Sequence, residues 1–217
     1  MSKETFHPEC LASIKGFLDD EEAVHLYRLA RAASQAGPCL EVGSYCGKSA
    51  VCLGTGCRDN DSTLFSIDHH HGSEEQQPGE EYFDPALFDP RLGRINTLPF
   101  FLRTLDQAGL TETVVPLVCS SAVAARSWAT PLELVFIDGG HAFETAYTDY
   151  ACWAGHLQPD GLLLIHDIFE NPEDGGQAPY QVYQLALASG LFVFHSRVKT
   201  LGVLRRVRGG RDAPPTI

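Results

Sequence analysis

Two hydrophobic rhythms alternate along the chain. Short runs of β-branched and large apolar residues recur, and between them apolar residues return every three or four positions. The first helical stretch begins at Asp19-Asp20-Glu21-Glu22, reaches Ala36 and is stopped by Gly37-Pro38. Helices are also expected from about Gly47 to Cys57, Leu98 to Ala108, Ser121 to Trp128, Phe143 to His156 and Pro179 to Ser189. Strands are expected from Cys39 to Gly43, Thr63 to Asp68, Val114 to Cys119, Leu134 to Asp138 and Leu162 to Asp167. A closing pair runs from Phe192 to Val198 and from Leu201 to Val207, around Lys199-Thr200.

Strands separated by helices need crossover connections, which make a parallel sheet covered on both faces. The last two strands are too close for a crossover helix and should pair antiparallel. The expected fold is therefore α/β: a Rossmann-like, doubly wound, mostly parallel seven-stranded sheet with an antiparallel final strand. Residues 1–38 form an N-terminal helical segment packed on the core, and 39–207 the main domain. The tail, 208–217, is expected to be flexible.

One segment breaks the rhythm. About thirty residues between Asp68 and Leu98, rich in acids, Pro and aromatics, carry no clear period. Long loops in compact domains tend to be lids or binding loops. This insertion, 69–97, leaves the carboxyl end of a strand, where open α/β sheets bind ligands, and reads as a lid rather than a disordered surface insertion. Tyr82, Phe83 and Phe88 could wall a substrate pocket or anchor the loop.

Composition narrows the function. A formal charge of −12 argues against nucleic acid, whose binders cluster Lys and Arg; only Arg205 to Arg211 is locally basic. No apolar run is long enough to span a bilayer, and MSKETFHPEC does not read as a secretion signal. Seven cysteines lack the paired spacing of a zinc site. Cys39, Cys46, Cys52 and Cys57 read as small buried hydrophobes. A cytoplasmic enzyme is expected, with a homodimer as a candidate assembly.

The sharpest motif is Glu41-Val42-Gly43-Ser44-Tyr45-Cys46-Gly47-Lys48-Ser49, joining the first strand to its helix. Glycines in such a turn let a ligand approach the backbone, and the helix amides face negative groups. A dinucleotide fingerprint needs glycine where Tyr45 stands, so a nucleoside with an amino-acid tail suits the turn better. Asp68 ends the second strand about twenty residues beyond Gly47, where an acid can accept bonds from ribose hydroxyls. A second constellation is Asp138-Gly139-Gly140-His141, with His166-Asp167 ending the next strand. Two neighbouring carboxylates there call for a cation or a proton.

The run from Glu41 to Ser49 resembles the first motif of class I S-adenosylmethionine (SAM)-dependent methyltransferases. It is particularly similar to catechol O-methyltransferases, which share the Gly-x-Tyr-Cys-Gly-x-Ser pattern, and the likeness covers about residues 37–207. It implies that Gly43, Tyr45 and Ser49 hold the methionine end of SAM, with Glu41 and Gly47 completing the turn. Asp68 would bind ribose, His69 would border the adenine, and Ser120-Ser121 would meet its edge. The same family binds Mg2+ through acids matching Asp138 and Asp167. Its amide ligand is replaced here by Ile168, and its catalytic lysine is missing, with His141 nearest. The Asp-Gly-x-His and His-Asp pairing is also similar to bacterial small-molecule methyltransferases.

Two schemes follow from the likeness. Asp138, His141 and Asp167 could hold a divalent cation such as Mg2+, or His141 could act as a general base oriented by Asp138 or Asp167. His141 could also simply cap the helix beginning near Ala142. Two other functions remain open at this point: a nucleotide-dependent oxidoreductase, and a cofactor-binding module without catalysis. Of His69, His70 and His71, only His69 is expected at the cofactor, the others being solvated. Trp128 and Trp153 are expected on helices, packed in the core.

Overall fold

The computed structural model describes residues 6–207. Its centre is a seven-stranded sheet. We label the strands β1 (Cys39–Val42), β2 (Leu64–Ile67), β3 (Val114–Leu117), β4 (Leu132–Ile137), β5 (Leu157–Ile165), β6 (Phe192–Val198) and β7 (Leu201–Arg206). Their spatial order is β3-β2-β1-β4-β5-β7-β6. The first five run parallel, and β7 lies antiparallel to both neighbours. The expected doubly wound sheet with an antiparallel final strand is what forms.

The helices are α1 (Asp20–Ala33), α2 (Lys48–Arg58), α3 (Leu98–Gln107), α4 (Ser121–Ala125), α5 (Phe143–Trp153) and α6 (Ala178–Ala188). Because strand side chains alternate, the sheet feeds two apolar layers. Cys39, Leu64, Leu134, Phe136 and Leu164 join α1, α2 and α3 on one face. Leu40, Val42, Ile67, Val135, Ile137 and Ile165 join α5 and α6 on the other.

Asp19 caps α1 by accepting from the Glu21 N–H at 2.8 Å. The helix buries Leu26, Tyr27, Leu29 and Ala30, and cutting a fully buried leucine such as Leu26 to alanine typically costs ~2–5 kcal/mol. Contact with α2 is close because Gly56 has no side chain. A Cβ there would stand 2.7 Å from the Arg31 nitrogen and 2.8 Å from the Tyr27 carbonyl oxygen. α1 is thus packed into the core. The tail expected to be flexible, 208–217, lies outside the described residues.

Several expectations need correction. α4 stops at Ala125, so Trp128 is not on a helix. It still packs, edge-on to Trp153 at 5.1 Å and to Phe65 at 4.8 Å between ring centroids. β5 begins at Leu157, five residues before the expected start, because its register shifts near Leu132/Leu134. That irregularity accommodates Pro159 and Gly161, which read as strand breakers.

The insertion has structure of its own. It contains short 3-10 turns at Glu74–Gln76 and Pro85–Leu87, and a small hairpin pairing Phe88–Asp89 with Arg94–Ile95. Leu87 and Ile95 bury against Cys46, with Tyr45, Phe83, Phe88 and Phe100 packed around them. Its ends are pinned where His70 Nδ1 meets Thr97 Oγ1 at 2.7 Å. His70 is only 2% exposed and so is not solvated. Among the described residues no helix is long and apolar enough to cross a membrane.

Candidate active site

Sheet register brings the chemistry to one rim. Val42 pairs with Ile67 on one side and Ile137 on the other, and Ile137 pairs with Ile165. Gly43, Asp68, Asp138 and His166 therefore emerge level with one another at the carboxyl ends of four adjacent strands. Here the strand order reverses between β1 and β4, the place where such sheets form a crevice. A cavity of about 860 Å³ opens there, within the size range of small-molecule sites.

The β1–α2 turn forms one wall. Gly43, Tyr45 and Gly47 all have left-handed backbone, with φ of 92°, 46° and 95°. Gly43 needs glycine for a second reason: a Cβ would lie 2.0 Å from the Asp138 carbonyl oxygen. The turn is tied to Asp68, whose Oδ2 accepts from the Ser44 and Tyr45 N–H groups at 3.0 and 2.8 Å. Its Oδ1 accepts from the His70 N–H at 2.6 Å. The two features singled out in the sequence meet directly.

Gly43, Tyr45, Ser49, Asp68, His69, Ser120, Ser121, Asp138, His141 and Asp167 all line the cavity. Glu41 and Gly47 stand behind the wall instead. Glu41 is fully buried and accepts from Ser49 Oγ at 3.0 Å and Ser66 Oγ at 2.6 Å. Burial pushes its carboxyl up to about 7, against the pull of those two hydroxyls. Gly47 starts α2 and faces Phe101 and Thr104.

The opposite wall is a charged network. His141 Nε2 lies 3.0 Å from Asp167 Oδ2, and its Nδ1 lies 3.0 Å from Glu75 Oε2 in the insertion. The hydrogen bond to Asp167 is the main cause of a His141 pKa raised to about 9, with Glu75 adding to it against partial burial. His166 is 4% exposed, with Nδ1 3.1 Å from Asp138 Oδ1 and Nε2 2.9 Å from Glu22 Oε2. Burial opposes its charge, yet the surrounding carboxylates raise its pKa well above the ordinary value. Burial would also raise Asp167, but hydrogen bonds from His141 and His166 hold it far below the usual carboxylate range. Left-handed backbone at Asp167, φ 55°, interrupts strand alternation and lets neighbours His166 and Asp167 join one network.

Asp138, His141 and Asp167 each offer a ligand atom within 4.8 Å of the others. A mixed carboxylate and imidazole set of this kind fits a divalent cation. His141 is not the cap of α5: Ala142 holds that position, and both His141 ring nitrogens face Asp167 and Glu75.

Four contributors were not foreseen. Glu22 and Asp149 share one signal, an acid on the apolar face of its helix: Glu22 with Leu26, Leu29 and Ala30, Asp149 with Ala146, Tyr150 and Trp153. Asp149 lines the cavity beside Ser121, and burial lifts its pKa to about 6. Glu75 lies in the aperiodic insertion, and no sequence signal pairs it with His141. Phe17 stacks edge-on against Tyr82 at 5.4 Å across the mouth, where Lys15 also meets Asp84. Tyr82 therefore serves the cavity, whereas Phe83 and Phe88 anchor the insertion.

A methyltransferase-domain family profile matches residues 40–168, more than half the chain. The chain belongs to this methyltransferase family. Solved structures share the fold over nearly the whole chain. The O-methyltransferase TomG from Streptomyces achromogenes, crystallised with SAM, is 15% identical with a TM-score of 0.60, covering 89% of this chain and 82% of that one. The methyltransferase PaMTH1 from Podospora anserina, bound to S-adenosylhomocysteine (SAH), is 14% identical with a TM-score of 0.66, covering 93% and 86%. The O-methyltransferase NovP is 13% identical with a TM-score of 0.67, covering 87% and 81%. With the family established, the oxidoreductase and the non-catalytic module have nothing left to recommend them.

Proposed function

We propose that this methyltransferase binds SAM in the rim cavity and methylates a hydroxyl of a small molecule. The observation that carries the reading is the union of the glycine turn with Asp68 at a cavity that continues to the His141 cluster. The turn presents backbone rather than side chains at Gly43, which suits close approach of the methionine end beside Tyr45 and Ser49. Asp68 keeps one acceptor site, on Oδ1, for a ribose hydroxyl, since a carboxylate has about four and backbone N–H groups take three. His69 borders the adenine and Ser120-Ser121 its edge, where Asp149 adds a buried acceptor for an amino group. Glu41 and Gly47 shape the turn from behind.

Bound there, SAM supplies a methyl group on a sulfonium already activated for attack. The protein's own part is to align the acceptor, exclude water and take a proton. Such alignment is worth up to ~7–11 kcal/mol. Once it has lost its own proton, His141 receives the hydroxyl proton at Nε2, where the acceptor takes the place of the Asp167 contact, with Glu75 fixing the ring through Nδ1. Glu74, Glu75, Glu80, Glu81 and Asp174 line the cavity, so its field disfavours anionic acceptors.

A second reading is favoured by the clustered donors. Asp138, His141 and Asp167 would hold a divalent cation, whose Lewis acidity lowers the acceptor hydroxyl's pKa. The imidazole moves the preference from Mg2+ toward ions such as Fe2+ or Zn2+. All seven cysteines are free thiols, which fits a reducing compartment such as the cytoplasm.

Calorimetry with SAH tests the reading. Binding is expected, with Asp68→Ala weakening it at least about tenfold, the loss of a charge-assisted bond. No heat with either SAM or SAH would overturn it.

A further inference from the structure

The family match ends at residue 168, yet part of the rim network is held from outside that span. Glu22 lies in the first turn of α1, with its side chain 3% exposed. Its Oε2 accepts from His166 Nε2 at 2.9 Å. Its Oε1 accepts from both the N–H and the hydroxyl of Thr200, at 2.9 and 2.8 Å. Thr200 belongs to the turn between β6 and β7, so two segments far apart in sequence meet on one carboxylate. Both ring nitrogens of His166 are then committed, because Nδ1 lies 3.1 Å from Asp138 Oδ1 and 3.5 Å from Asp167 Oδ1.

This arrangement is costly for a purely structural contact. Position 22 lies on the apolar face of α1, where a leucine would pack without any desolvation penalty. A buried carboxylate there is tolerable only with its hydrogen bonds made, and among the described residues these lead to His166 and Thr200. The ring cannot rotate without breaking bonds at both ends. The carboxylates it touches, Asp138 and Asp167, are the two that face His141 in the cavity.

We propose that Glu22 is a positioning residue of the methyltransferase site: with Thr200 it clamps the His166 ring, which fixes the Asp138 and Asp167 carboxylates toward His141. What those carboxylates are positioned for rests on the functional reading above; the clamp itself does not. α1 is thereby part of the active site rather than only a cover for α2.

The test uses the full chain, with NMR of histidine ring N–H groups and aspartate side-chain carboxyl carbons. The wild-type protein is expected to show two slowly exchanging His166 ring N–H signals. Glu22→Gln is expected to stay folded, lose the Nε2 signal and shift the Asp138 and Asp167 carboxyl resonances. SAH affinity by calorimetry should change less than about threefold, while turnover at saturation falls roughly 10–100-fold, as expected of a small misplacement. Unchanged Asp138 and Asp167 resonances in a folded Glu22→Gln protein overturn the proposal. Should that variant fail to fold, Thr200→Val removes one bond to Glu22, and the same resonances must shift by a smaller amount; no shift there is equally fatal. Failure of the wild-type protein to bind SAH would instead strike the functional reading, with the clamp still measurable.

Discussion

The two walls of the cavity are built by different means. The β1–α2 turn is largely local in sequence: Gly43 to Ser49 are consecutive, and Asp68, which holds their amides, ends the neighbouring strand. The β4–β5 wall is assembled from afar. His141 and Asp167 meet Glu75 from the insertion, and His166 meets Glu22 from α1. The first wall holds its shape through backbone amides and left-handed glycines, the second through charged side chains that compensate one another. A backbone cradle suits a cofactor whose shape never changes. A charged network suits proton transfer, because its groups respond to what binds.

That contrast can be broken at its strongest point first. Gly43→Ala places a methyl 2.0 Å from the Asp138 carbonyl oxygen in a left-handed backbone. It is expected to lower stability by at least ~3 kcal/mol and to remove measurable SAH binding, by denaturant unfolding and calorimetry. A folded variant that binds SAH normally would show that the turn is not the cradle.

His141→Ala should act on the other wall alone. Turnover is expected to fall ~100–10,000-fold while SAH affinity stays within about threefold. Because the His141 pKa is raised to about 9, its base form grows with pH, so kcat/KM should climb to about pH 9 and level off. A saturating divalent cation, which needs the neutral ring, should move that break to lower pH. A rate independent of pH between 6 and 10 would remove His141 from the proton's path. The same raised value means that the bonds of protonated His141 stabilise the fold below pH 6.5, a contribution lost as pH rises through about 9.

The smallest effect is expected at Glu41. Its folded pKa is raised to about 7 by burial, so the folded state holds a proton that the unfolded chain releases near 4.5. Stability should decline as pH rises from about 4.5 to 7 and flatten above. Glu41→Gln, a neutral shape mimic, should flatten that slope between about pH 6 and 7, leaving below it the share due to Asp149, with little change in SAH affinity. An unaltered slope would place the titration elsewhere.

Sequence reading reached the sheet, most helices and the turn motif because each rests on periodicity or on adjacent residues. Its errors have specific causes. The β5 start was missed because Pro159 and Gly161 read as breakers, and a shift in register absorbs them. Trp128 lost its helix because α4 ends within five residues. His70, in the middle of the histidine tract, carries no sequence sign of burial, yet Thr97 and Phe101 enclose it. Of the site, the lining residues at Gly43, Tyr45, Ser49, Asp68, Asp138, His141 and Asp167 were legible as motifs. Glu75 was not, since nothing in an aperiodic loop says where it folds.

The chain's order of apolar and polar residues determined the α/β sheet, the glycine turn and the acids at the strand ends, because these depend on local conformation and strand alternation. Only the tertiary structure decided which charges meet. Glu22, Glu75, His141 and His166 come from α1, the insertion, the β4–α5 loop and the end of β5. Folding brings all four to one rim, and at Glu22 and His166, where packing removes water, a buried charge must find its counterpart or be lost.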